Sequence, residues 1–324
     1  MAPPAQILPS HASGTGGMEL PAIVAASPGG AGRFLEFFAA AIRNPNTRRA
    51  YARAAGDFLA WCEGHGVREL GAIAPLHVAA WIEMLGRTLA PPSVKQRLAA
   101  IRHLFDWLVT GQVVVINPAA SVRGPAHSAR TGRTPVLEPD EARAIFDAID
   151  IGTPAGLRDR ALIGVMIYSF ARIGAALAMR REDMFVQGRR LWLRLHEKGG
   201  KRHDMPCHHI LEDYLLSYVE QCGLDDPRGP LFCSIDRRMR RLSDRALTQA
   251  EAHVMVRRRA RAAGVATRIG NHSFRASGIT IYLRNGGALE NAAAMANHSS
   301  TRTTQLYDRR RDEISLSEVE RVRI

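Results

Sequence analysis

The sequence predicts a mainly α-helical protein of two domains, with a small antiparallel sheet in the second. Three observations predict it. From Arg33 onward apolar residues recur at helical spacing through most of the chain. The stretch "RGPAHSARTGRTPVL", 123–137, interrupts that pattern with glycine, proline, serine, threonine and arginine, and divides the chain in two. One segment, "RRLWLRLHE", alternates instead, with Leu191, Leu193 and Leu195 on one side, and leads into the glycine-containing turn "KGGK" of a hairpin. A length of 324 residues also favours about two domains over one.

Composition narrows the function. An apolar share of 46% and a charged share of 23% are ordinary for a soluble globular chain, but the net charge of +13 is not. Such an excess attracts polyanions, nucleic acid first among them. The 44 basic residues include three lysines, Lys95, Lys198 and Lys201, the rest being arginine. No apolar run approaches the roughly 20 residues a membrane span needs, and the N-terminus lacks the layout of a signal peptide. No membrane is expected, and a cytoplasmic, nucleoid-associated location is. The four cysteines are irregularly spaced without a CxxC. Cys207 beside His208 and His209 lacks a second ligand pair, so no metal site is expected.

Taken in order, residues 1–30 are rich in Pro, Gly, Ser and Ala and read as a flexible tail. Residues 31–122 form a helical domain. In "NTRRAYARAAGDFLAWC", Tyr51, Ala54, Ala55, Phe58 and Cys62 make one apolar stripe, and in "SVKQRLAAIRHLFDWL" Val94, Leu98, Ile101, Phe105 and Leu108 make another. Arg48, Arg49, Lys95 and Arg97 lie off these stripes, either as a solvated face or as phosphate contacts. After the linker at 123–137, residues 138–324 form the second domain. Asp140 and Glu141 open a helix, and "LRDRALIGVMIYSFARIG" continues as a largely buried one. From about 209 the chain is helical again. It ends in a short helix from Asp312 whose Ile314, Leu316, Val319 and Val322 suit docking into a neighbouring copy or capping their own domain. The arginine run "RRRAR", 257–261, faces either DNA or solvent.

Five short pieces follow one another in the second domain: "FARIG" with Arg172, "EKGGKR" with Lys198, "HSFR" with His272 and Arg275, "NHSS" with His298, and "QLYDRR" with Tyr307. In this order and spacing they resemble the catalytic domain of the tyrosine recombinases, the phage integrase family. The helical domain is similar to that family's core-binding, SAM-like domain, so the resemblance runs from about residue 33 to the C-terminus. It implies the DNA breaking-rejoining fold and a site-specific recombinase or integrase. Its nucleophile would be Tyr307 and its other catalytic residues Arg172, Lys198, His272, Arg275 and His298. It also implies double-stranded DNA carrying a specific recombination site as partner, a homo-tetramer on that DNA, possible accessory DNA-bending proteins, and no cofactor.

The residue types suit that chemistry on their own account. A phenol can form a phosphotyrosine ester that keeps the bond energy for rejoining. Two arginines offer planar, permanently charged forks for phosphate oxygens, and two histidines offer hydrogen bonds and proton exchange. A general acid must give up its proton, which arginine effectively cannot. That explains a lysine at 198 in an arginine-dominated chain, while Lys201 and Arg202 are expected to touch phosphates. Three departures stand out. Ala175 occupies the position where the family usually carries an acid that holds the first arginine, Asn297 replaces a frequent glycine, and Ala171 replaces a leucine. A mobile-element integrase is the expected role. A chromosome or plasmid dimer resolvase, a type IB topoisomerase-like enzyme and a non-catalytic DNA-binding relative are the alternatives.

Overall fold

The computed structural model describes residues 20–127, 132–197, 200–236, 238–239 and 241–308. It divides into two compact units, Met1–Ser128 and Ala129–Ile324.

The first unit is helical: α1 (Ala22–Ala25), α2 (Gly30–Glu36) running into a π-turn over Phe37–Ala41, α3 (Pro45–Gly64), α4 (Pro75–Gly86) and α5 (Pro91–Thr110). Proline stands in the first turn of each of the last three, where its missing N–H is no loss. Asn44 caps α3, its Oδ1 accepting from the Asn46 and Thr47 amides. The core joins Phe34, Phe37, Phe58, Trp81 and Phe105 to the stripes of α3 and α5. The tail reading of residues 1–30 needs correction within its described part, since Ile23 and Val24 are buried in this core. The Ile23 amide donates to Glu63 Oε1 at 2.8 Å, and the Leu70 amide donates to Ser27 Oγ at 2.9 Å. The five apolar residues Ala22 to Ala26, between Pro21 and a glycine pair, are too few to show a period. Gly29 has a φ of 69°, and a Cβ on Gly30 would lie 2.7 Å from the Val24 oxygen. Residues 1–19 of the expected tail lie outside the described residues.

The second unit opens with α6 (Pro139–Asp147), α7 (Pro154–Tyr168) and α8 (Ile173–Leu177). A three-stranded antiparallel sheet follows, β1 (Met184–Gln187), β2 (Arg190–His196) and β3 (Arg202–Pro206), in the order β1-β2-β3. Leu191, Leu193 and Leu195 face the core as their alternation predicts. Then come α9 (His209–Cys222), the hairpin β4 (Cys233–Asp236) and β5 (Arg241–Ala246), and α10 (Gln249–Ala262), α11 (Asn271–Arg284), α12 (Leu289–Met295) and α13 (Thr301–Gln305). The core centres on α7, which is buried nearly all round. α11 crosses it so closely that a Cβ on Gly278 would lie 2.1 Å from the Ile167 carbonyl oxygen.

Two expectations fail here. The helix expected through "FARIG" stops at Tyr168, because Phe170 takes a φ of 53° and starts a new direction. The region after 209 is not all helical. β5 is exposed or half-exposed along its length, so its sequence carries no apolar alternation to read. The helix expected from Asp312 lies outside the described residues.

Candidate active site

Four chain segments converge at the end of α7. Arg172 is the N-cap of α8, immediately after the turn at Phe170. His272 is the second residue of α11, and Arg275 follows it one turn later. Asn297, with a φ of 45°, turns the chain out of α12 and delivers His298. Tyr307 follows α13, half-buried against the small cluster of Phe170, Ile279, Leu283, Ala292 and Ala296. Asn297 stands where a glycine was expected because the position is left-handed, and asparagine is among the side chains that tolerate that conformation.

Arg275 organises the group. The residue is 2% exposed, an unusual place for a guanidinium, and it donates to two backbone carbonyls and an imidazole. Nη1 donates to the Phe170 carbonyl, and Nη2 donates to the Ala296 carbonyl at 2.6 Å and to His298 Nε2 at 2.7 Å. Both carbonyls lie at C-terminal ends of helices, α7 and α12, where the backbone carries partial negative charge. Burial, then the Arg172 charge, lower the Arg275 pKa to about 10, while Tyr307 and Glu197 push it back up.

A guanidinium only donates, so His298 Nε2 is the acceptor and the ring proton sits on Nδ1. From there it donates to Thr304 Oγ1 at 2.8 Å. The imidazole is held neutral, its pKa lowered to about 4 by burial and by Arg275 and Arg172. The same three causes, in the same order, lower His272. In this arrangement His298 orients Arg275 through Nε2. The Tyr307 ring lies parallel to His298, centroids 6.0 Å apart and planes 11° apart. Thr280 Oγ1 donates to the Tyr307 carbonyl at 3.0 Å, and the Gly132 amide donates to the Leu306 carbonyl at 2.7 Å.

Arg172 meets a residue the sequence reading did not select. Its Nη1 donates to Glu197 Oε2 at 2.5 Å, with the glutamate side chain 4% exposed and the arginine side chain 36% exposed. Glu197 stood inside the quoted "EKGGKR", so its type and place were visible, but a carboxylate was sought only at 175. Lys198 lies outside the described residues. The ends of its turn are fixed by the Glu197 amide donating to the Lys201 carbonyl at 2.8 Å and by the pairing of His196 with Arg202.

The structure thus brings Arg172, His272, Arg275, His298 and Tyr307 together. Two cationic forks, a neutral imidazole pair and a phenol form a site suited to an anionic, tetrahedral centre. The expected DNA contacts divide. Arg49 and Arg97 line one groove of about 470 Å³ between α3 and α5, with Arg53 and Gln96. Arg97 also pairs with Asp57 at 2.5 Å. Arg48 instead donates to the Ile42 carbonyl, while Lys95, Lys201 and Arg202 are exposed. Within "RRRAR", Arg258 and Arg259 turn to buried Asp159, while Arg257 and Arg261 line a groove of about 510 Å³ with Arg268. Among the described residues no group of three or more His, Cys, Asp or Glu is placed to hold a metal, and no helix is long and apolar enough to cross a membrane.

The family model of the phage integrase family matches residues 135–313, and that of the phage integrase N-terminal SAM-like domain matches residues 33–112. The chain belongs to the phage integrase family. This tyrosine recombinase is 28% identical over 266 residues to tyrosine recombinase XerC of Xylella fastidiosa (strain M23), across 81% of this chain and 85% of that protein. It is 27% identical over 273 residues to tyrosine recombinase XerD of Corynebacterium glutamicum, across 81% and 86%. Its fold is that of the XerH site-specific recombinase bound to a palindromic difH substrate in a post-cleavage complex, with a TM-score of 0.67 at 19% identity over 85% of this chain and 79% of that one. A lambda integrase dimer bound to a COC' core site gives 0.66 at 18% identity, over 88% and 97%. The tyrosine recombinase is therefore an enzyme with the mainly helical fold and small antiparallel sheet that the sequence predicts.

Proposed function

We propose that this tyrosine recombinase cleaves and rejoins double-stranded DNA at a specific site through a 3'-phosphotyrosine intermediate. The observation that carries the reading is the convergence of two arginines, His298 and the Tyr307 ring on one surface. The Tyr307 oxygen attacks the phosphorus, the bond to the 5' oxygen breaks, and Lys198 supplies the proton that the departing oxygen takes up. Arg172 and Arg275 neutralise charge growing on the non-bridging oxygens. His298 keeps Arg275 aimed, and His272, on the open side of α11, exchanges a proton with the phenol. The reverse steps reseal the strand without an external energy source.

The groove holding Arg49, Arg53 and Arg97, with Lys95, Lys201 and Arg202, supports a phosphate-tracking role for the basic excess. Exchange between two sites calls for four copies. A lambda integrase tetramer bound to a Holliday junction supports that number, and the apolar tail residues Ile314, Leu316, Val319 and Val322 suit docking into a neighbouring copy or capping their own domain. Insertion or excision of a mobile element is the role we favour. The named XerC and XerD relatives favour a second, the resolution of chromosome or plasmid dimers.

One capture experiment tests both. The protein is incubated with sheared genomic DNA of its own organism and quenched in denaturant, and the covalently attached fragments are sequenced. A Tyr307-dependent adduct at a discrete site, lost in Tyr307→Phe, is expected. Attachment at the ends of an inserted element fits the first role and attachment at a single chromosomal locus fits the second. An adduct that survives Tyr307→Phe, or no adduct at all, refutes the mechanism.

A further inference from the structure

We infer that Glu197 is a positioning residue for Arg172, supplying from the sheet the carboxylate that Ala175 does not supply from the arginine's own helix. Three observations converge on it. Ala175 lies one turn beyond Arg172, its amide bonded to the Arg172 carbonyl, and its buried methyl offers the guanidinium no acceptor. Glu197, at the end of β2, lies 2.5 Å from Arg172 Nη1, and its side chain is 4% exposed. A carboxylate that deep needs a charged partner. The arginine remains 36% exposed, so one edge of its fork is engaged while the rest stays open to a phosphate.

Anchoring from the sheet differs from anchoring within the helix. Glu197 is bound to Lys201 through its backbone and is adjacent in sequence to Lys198. The pairing of β2 with β3 fixes where its carboxylate sits. The direction of Arg172 and the register of the hairpin therefore depend on each other. Glu197 also offsets the repulsion between two nearby arginines, which a neutral isostere cannot do.

The effect on rate rests on the strand-cleavage reading above, so the test has an arm that does not. In the full-length protein, NMR of the arginine Nε–Hε groups, with the Arg172 signal assigned through Arg172→Lys, reports rotation of that guanidinium. It is expected to be restrained in the native protein, free in Glu197→Gln and intermediate in Glu197→Asp. Adding Ala175→Glu to Glu197→Gln should restore the restraint. In the second arm, covalent-adduct formation on the duplex recovered in the capture experiment should slow about 10- to 100-fold in Glu197→Gln. Its DNA affinity should stay within about twofold, and the compensated variant should regain most of the rate. A merely structural glutamate would not be rescued from position 175. Unchanged restraint in Glu197→Gln, or adduct formation at the native rate without restraint, overturns the inference. Should the double variant not fold, the graded response of Glu197→Asp decides. Failure of the native protein to form any adduct would refute strand cleavage, and the NMR arm would still judge Glu197.

Discussion

Replacing Asp159 by asparagine should destabilise the second unit by about 3–5 kcal/mol, the cost of stranding a buried charge. Asp159 is fully buried on α7, and three arginines meet on it. Oδ1 accepts from Arg158 Nε at 3.0 Å and Nη2 at 2.6 Å, while Oδ2 accepts from Arg259 Nε at 2.9 Å and Arg258 Nη2 at 3.1 Å. The side chains are unequally placed, Arg158 5% exposed, Arg259 14% and Arg258 60%. Most of the loss therefore comes from Arg158, which also donates to the Cys233 carbonyl at 2.9 Å, and from Arg259. Arg258→Ala, which removes the exposed arm, should cost within about 0.5 kcal/mol. Hydrogen exchange followed on peptides from α7 and α10 reads each helix apart from the first unit. A loss below about 1 kcal/mol for Asp159→Asn, or a larger one for Arg258→Ala, would refute this ranking.

Gly278→Ala should push α11 off α7, because the new methyl would meet the Ile167 carbonyl and the Phe170 ring. A loss of about 1–3 kcal/mol in urea unfolding and a larger loss of adduct formation, through displaced Arg275, are expected. Asn297→Gly should be tolerated, whereas Asn297→Val, a branched side chain at a φ of 45°, should cost about 1–3 kcal/mol by the same assay. His298 ties stability to acidity. Its folded pKa of about 4 lies below the 6.5 of an ordinary histidine, so the unfolded chain binds the proton first and stability falls as the pH drops from 6.5 towards 4. The ceiling is roughly 3 kcal/mol, cut by solvent screening of a half-buried ring to about 1–2. His298→Gln should thus lose less stability than the native protein between pH 7.5 and pH 4.5 in paired melts, and parallel curves would contradict this.

Much of this arrangement was legible in the sequence. α3 and α5 carry long apolar stripes, β2 alternates cleanly, and the order of Arg172, His272, Arg275, His298 and Tyr307 pointed to one site. What escaped lacks a periodic signature. α1 offers four residues, less than a period. The break at Phe170 is a single backbone torsion, held where the Arg275 fork takes its carbonyl, and no local preference of phenylalanine announces it. β5 has a single large apolar residue, Leu242, packed against the core, too little to show an alternation. Glu197 was readable by type but not by role, since its partner lies 25 positions earlier and is met only through the fold.

The successive carbonyls of Leu306 and Tyr307 are both already engaged, one by Gly132 and the other by Thr280. A Cβ at 132 would stand 2.8 Å from the Leu306 oxygen, so the stitch depends on a bare backbone there. With its main chain pinned at two adjacent points, the tyrosine keeps little beyond its own two torsions for aiming the phenol. In the proposed cleavage, strand choice then falls to where the duplex is laid, not to how far the phenol can wander.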